Sequence, residues 1–215
     1  MKNRTLLGMI LFVASESIFF LLLVLAYVNF HKSTGPTAAA MLDPLKTGLF
    51  SLALFSSSFT MWLAEMSRKK ELLSQRRQGG EQPSQPQRKS RGGGEGTEAD
   101  GAHIKSAWVR LWLLITIVLG ATFLAGQGLE YAHLLTHDVT ISRDLFGSTF
   151  FTLTGFHGFH VLVGLILLST LLGLAFLGRK KEPSLGGIQA IAIYWHFVDA
   201  VWVVIFSIVY LWRYV

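Results

Sequence analysis

No cysteine occurs among the 215 residues. That absence removes disulfides, CxxCH haem attachment, thiolate copper or zinc sites and cysteine-held iron–sulfur clusters. A metal site would have to rest on histidines and carboxylates. Charge is scarce too: charged residues make up 15% against 51% hydrophobic, and mean hydropathy is +0.46. With the apolar residues gathered in long blocks, that balance excludes a soluble globular domain. The five prolines, Pro36, Pro44, Pro83, Pro86 and Pro183, all fall between those blocks. No span is therefore broken by proline, and there is no internal repeat, so the midplane-broken helices of a transporter or channel are not in view. A membrane enzyme in its own right would need a complete ligand set or a nucleophile–base pair, and neither is visible.

A bilayer core takes about 20 apolar residues at 1.5 Å rise each. Blocks of that kind run over residues 6–30, 47–66, 107–128, 146–177 and 189–212. They predict an all-α integral membrane protein, a bundle of five transmembrane helices. The first block follows Lys2 and Arg4, and Ala38 to Ala40 offers small residues for cleavage, but the block is too long for a signal h-region and holds Glu16. It reads as a retained helix. Lys and Arg crowd the amino terminus, the stretch 68–106, Arg110 and Arg179 to Lys181, whereas the other side has Lys32, Lys46, Arg143 and Arg213. The excess marks the cytoplasmic side, which places the amino terminus there and the carboxyl terminus in the periplasm. Trp108 and Trp112 at one face, with Tyr131, Trp212 and Tyr214 at the other, suit interfacial belts.

The net charge of +6 is explained by this topology and calls for no nucleic acid. Residues 75–100, QRRQGGEQPSQPQRKSRGGGEGTEAD, have no aromatic residue and too little apolar surface to offset ordering entropy. The segment 68–106 is expected to be a flexible cytoplasmic linker.

Ionisable groups inside hydrocarbon are costly unless paired, so each default reading is function or interhelical contact. Glu16 lies in VASESIFF, His157 and His160 in TGFHGFHV, and His196 and Asp199 in YWHFVDAVW. The pairs 157/160 and 196/199 are i,i+3 and share a helix face. Three spans interrupted in this way predict one polar seam, with Glu16 and Asp199 roughly 15 Å deep at 1.5 Å per residue. At least one histidine of the fourth helix should hydrogen-bond Glu16, and His196 and Asp199 should face the bundle. A neutral glutamic acid both donates and accepts, so Glu16 can tie helices or exchange a proton. For the histidines, interhelical hydrogen bonding beside Gly155, Gly158 and Gly164, metal or haem ligation, and proton handling remain alternatives.

The ordered motifs resemble subunit III of the haem-copper respiratory oxidases. GMILFVASESIFF is similar to the segment carrying that family's intramembrane glutamate, which falls on Glu16, and LDPLKTG to its short entry loop. GQGLEYAH places Glu130 and Tyr131 at the Glu-Tyr positions. ISRDLFGSTFFTLTGFHGFHVLVG, with Gly155 and Gly158, and YWHFVDAVWVVIFSIVYLW, opening on Tyr194 and Trp195, are the most specific matches. The resemblance covers all five helices, excludes the linker, and fits the family's shorter, five-helix form.

It implies a non-catalytic subunit in a bacterial inner membrane that stabilises an oxygen-reducing core, holds phospholipid and supports proton supply. This chain would bind no haem or metal; subunit I would carry the haems and copper, subunit II a copper centre, and a small subunit IV would complete the partners. Cytochrome c oxidase is the leading branch. Quinol oxidase and a nitric oxide reductase accessory protein stand as alternatives within the same fold, and the cleft that holds lipid in the longer form would lack two of its helices here.

Overall fold

The computed structural model describes residues 2–31, 44–80, 95–136, 145–176 and 185–211. They form five helices: α1 (Lys2–His31), α2 (Pro44–Gly80), α3 (Glu95–Thr136), α4 (Leu145–Phe176) and α5 (Leu185–Phe206), the last continuing into a π-helical turn (Ser207–Leu211). Each contains a stretch long and apolar enough to cross a membrane: Thr5–Phe30, Leu45–Lys70, Ala107–Thr136, Gly147–Phe176 and Gly186–Leu211. Helices are the open solution because hydrocarbon offers no partner to a backbone N–H or C=O, and an α-helix satisfies these groups internally.

The helices outrun the apolar blocks. α2 extends to Gly80 and α3 begins at Glu95, so part of the stretch 68–106 expected as linker is helical. Lys69, Lys70, Glu71, Leu72 and Leu73 are strong helix formers and carry α2 onward once the apolar span has ended. Pro44, expected in a loop, is the first residue of α2, where its missing N–H costs nothing. Residues 81–94, Ala38 to Ala40, Arg179 to Lys181, Trp212 and Tyr214 lie outside the described residues.

α5 contacts α1, α2 and α4; α2 runs along α3, and α4 also contacts α1 and α3. Tyr194, Trp195, Val198, Trp202, Ile205, Val209 and Tyr210 of α5 and its π turn are buried. Trp195 reaches farthest. A Cβ on Gly164 of α4 would lie 2.7 Å from Trp195 Cε3, and one on Gly120 of α3 would lie 2.8 Å from its Cη2. Two glycines thus make the slot that takes the indole. Gly155 and Gly158, expected at a close helix approach, have only ordinary contacts, at 3.7 Å to Tyr131 Oη and to Leu124. The close approach in α4 is made at Gly164, where the neighbour is a ring and not a helix backbone.

Candidate functional site

Glu16 of α1 meets His160 of α4: Nε2 is 3.2 Å from Glu16 Oε2. The other ring nitrogen, Nδ1, is 2.8 Å from the Phe156 carbonyl. A carbonyl only accepts, so Nδ1 carries hydrogen, and the contact to Glu16 is made through Nε2. Tyr194 of α5 donates to the His160 carbonyl at 3.0 Å, and Phe20 packs edge-on against the imidazole at 5.0 Å. Three helices therefore meet around one histidine. Glu16→Ala would leave Nε2 facing apolar side chains, at about 1–3 kcal/mol. Glu16→Gln, which keeps a hydrogen-bonding oxygen, should cost less, and detergent-titration unfolding of the two variants checks the order.

His196 and Asp199 form a separate group on α5. Ser58 of α2 lies with its Oγ 2.9 Å from His196 Nδ1 and hydrogen-bonds Asp199 Oδ2. Asp199 is 5% exposed and His196 half-buried. Next to Ser58, Ser57 accepts the Trp195 indole N–H at 2.9 Å. Nearer the end of α2, Gln189 of α5 donates to Glu65 at 3.3 Å. Ser51 accepts from Trp202 Nε1 at 2.8 Å. The α2/α5 contact is thus polar along its length, built from hydroxyl groups set against the fifth helix.

His157 joins neither group. It is fully buried, stacks on Trp202 at 4.8 Å with 24° between planes, and meets the edge of Phe123 at 5.9 Å, with no hydrogen-bond partner at either ring nitrogen among the described residues. Where one seam is expected, the five residues stand as a Glu16–His160 pair, a Ser58-bridged His196–Asp199 pair and an isolated stacked His157. The i,i+3 spacing does put 157 and 160 on one face, but the two rings enter different interfaces.

A fourth polar group lies where α2 begins and α3 ends. Glu130 accepts Thr47 Oγ1 at 2.9 Å on Oε1 and Tyr210 Oη at 2.7 Å on Oε2, joining α2, α3 and the π turn after α5. Tyr131 Oη and Thr154 Oγ1 are 2.7 Å apart across α3 and α4. Thr60 and Thr116 pair at 2.8 Å across α2 and α3.

The hydroxyl residues of α2 are what sequence reasoning missed. Their signal was present in Ser56, Ser57, Ser58 and Thr60, a polar run inside a membrane span. Hydroxyl groups can return a hydrogen bond to their own helix, as Ser57 does to the Leu54 carbonyl, so they raise no alarm by themselves.

Among the described residues, no three His, Asp or Glu side chains converge as a metal site would require. Ser58, His196 and Asp199 share the residue types of a hydrolytic triad but not its connectivity. Asp199 and His196 both bond the serine, whereas a triad's carboxylate orients its histidine. What these groups can do is hold helices together and hold protons.

Comparison with known proteins gives the family. A family profile described as cytochrome c oxidase subunit III matches residues 104–214. Cytochrome c oxidase subunit 3 of Synechocystis sp. is 33% identical over 213 residues, covering 95% of this chain and 74% of the relative. The probable cytochrome c oxidase subunit 3 of Mycobacterium leprae and the cytochrome c oxidase subunit 3 of Corynebacterium diphtheriae are each 41% identical over 102 residues, 47% of this chain, and the chain spans half their length. On the Synechocystis alignment and the profile match over its last three helices, this chain belongs to the cytochrome c oxidase subunit III family of the haem-copper oxidases.

Proposed function

We propose that the chain serves as the non-catalytic third subunit of a cytochrome c oxidase, stabilising the catalytic core and supporting proton supply during oxygen reduction in aerobic respiration. One observation carries this reading: among the described residues the intramembrane polar side chains are mostly committed to one another across helices, and no set of them converges as ligands or as a nucleophile and base. A chain so built supplies a rigid membrane body. Haem and copper belong to its partners, subunit I with the haems and copper and subunit II with a copper centre, beside a small subunit IV.

The setting is the inner membrane of a bacterium, the amino terminus cytoplasmic and the carboxyl terminus periplasmic. The Lys and Arg asymmetry supports that orientation, with Arg68, Lys69 and Lys70 at one end of α2 and only Lys46 at the other. Part of an acyl chain of a structural phospholipid would lie in the groove of about 270 Å³ between α1 and α5, whose walls include Phe20, Leu21, Val24, Phe197 and Val201. Its lining is apolar apart from Ser17, whose hydroxyl bonds the Val13 carbonyl of its own helix, and so suits an acyl chain.

Mild-detergent purification of the tagged chain tests the assignment. Haem absorption bands and oxygen uptake with reduced cytochrome c are expected in the eluate. Uptake with quinol alone would move the chain to the quinol branch, and a colourless, solitary protein would overturn the assignment.

A further inference from the structure

Ser58 stands between an acid and a base. A hydroxyl has one proton and two lone pairs, so it can donate toward one neighbour while accepting from the other. With Oγ 2.9 Å from His196 Nδ1 and hydrogen-bonded to Asp199 Oδ2, two arrangements of the bridge exist on the same heavy atoms, Asp199 Oδ1 having no hydrogen-bond partner among the described residues in either. In the first, the Asp199 carboxyl donates to Ser58, which donates to the bare Nδ1 of a neutral imidazole. In the second, imidazolium Nδ1–H donates to Ser58, which donates to the Asp199 carboxylate. The Asp199 O–H bond breaks as its proton bonds to Ser58 Oγ, and the proton that Ser58 carried bonds to Nδ1. Both arrangements are neutral overall, so neither leaves an uncompensated charge in hydrocarbon.

We infer that Asp199, Ser58 and His196 form a proton relay across the α2/α5 interface, with Asp199 as the buried proton store and His196 as the exchanging end. Asp199 is 5% exposed and His196 half-buried, so His196 is the end nearer the outside of the bundle, within the span Gly186–Leu211. From α2, Glu65 is bonded to Gln189 of α5. It lies seven residues from Ser58, about 10 Å along the helix, toward the basic end of α2. From α1 and α4, Glu16 and His160 are paired with each other, and His157 is stacked on Trp202. The relay is thus separate from the Glu16–His160 pair and from His157. The bridge names residues for the proton-supply part of the role proposed above, on which the inference rests, and it survives reassignment of the chain to another oxidase branch.

Infrared spectroscopy of the intact complex, transferred from H2O to D2O, tests it. A protonated-carboxyl band that shifts in Asp199→Glu identifies the store. Ser58→Ala should slow deuterium exchange of that band by about 100-fold, the lower end of what a positioned proton-transfer group supplies. Ser58→Thr, which keeps the hydroxyl, should restore it. Unchanged exchange in Ser58→Ala would reduce the serine to a structural bond and overturn the relay, as would the absence of any band that responds to Asp199→Glu across the accessible pH range. Should Ser58→Ala not assemble, His196→Gln reads the relay from its other end: slowed exchange supports it and unchanged exchange overturns it.

Discussion

Replacing Trp202 with alanine is expected to destabilise the bundle by about 3–5 kcal/mol, the range for removing a fully buried aromatic side chain. The indole has no exposed surface and is a joint of several helices. Its faces and edges meet Phe123 of α3 at 4.8 Å, His157 of α4 at 4.8 Å, and Phe206 and Tyr210 at 6.4 Å, while its N–H reaches Ser51 of α2. His157 would lose the ring that covers one of its faces, and no hydrogen bond at its nitrogens would compensate. Trp202→Phe separates the contributions. It keeps much of the apolar contact and gives up the N–H bond, at about 1 kcal/mol; Ser51 still donates to the Thr47 carbonyl, so its hydroxyl is not stranded. The temperature at which the chain leaves the purified complex should fall far more for alanine than for phenylalanine. Similar shifts for both would place the contribution in the hydrogen bond and not in the stack.

The second large effect is expected at Glu130. Its two carboxylate oxygens take separate donors, Thr47 from α2 and Tyr210 from the π turn. Tyr210 is 1% exposed, so without Glu130 its hydroxyl has little access to water. Glu130→Ala removes both acceptor oxygens and leaves Thr47 as the side-chain partner of Tyr210, so it should cost about 1–3 kcal/mol. Glu130→Gln retains one carbonyl oxygen and should fall between alanine and native. The loss should be local as well as global: backbone hydrogen exchange over residues 205–211 should accelerate before the rest of α5. Uniform acceleration along α5 would show that Glu130 does not pin its end.

Much of this architecture was legible in the sequence because membrane physics leaves few alternatives. Twenty apolar residues in a row specify a span almost without regard to partners, and five such blocks appear as five helices. Helix ends were less legible, since Lys69 to Leu73 are polar enough to read as a loop yet favour helix once one has begun. The intramembrane charged residues announced themselves. Their partners did not: nothing local in the sequence says that Glu16 takes His160 and leaves His157, because both histidines lie on α4 one turn apart and only the rotation of α4 against α1 decides. The serines of α2 were passed over for a related reason. A hydroxyl in a span can satisfy itself on its own helix, so its importance emerges only when α5 brings Trp195, Trp202 and Asp199 against it.

The most direct test of a stabilising, non-catalytic subunit compares the purified oxidase with and without this chain, following the haem spectrum and oxygen uptake through sustained turnover. The account predicts the same haem bands and the same initial rate, with activity lost sooner when the chain is missing. Loss of haem would put assembly of the redox centres in this chain, and an unchanged active lifetime would remove the stabilising role.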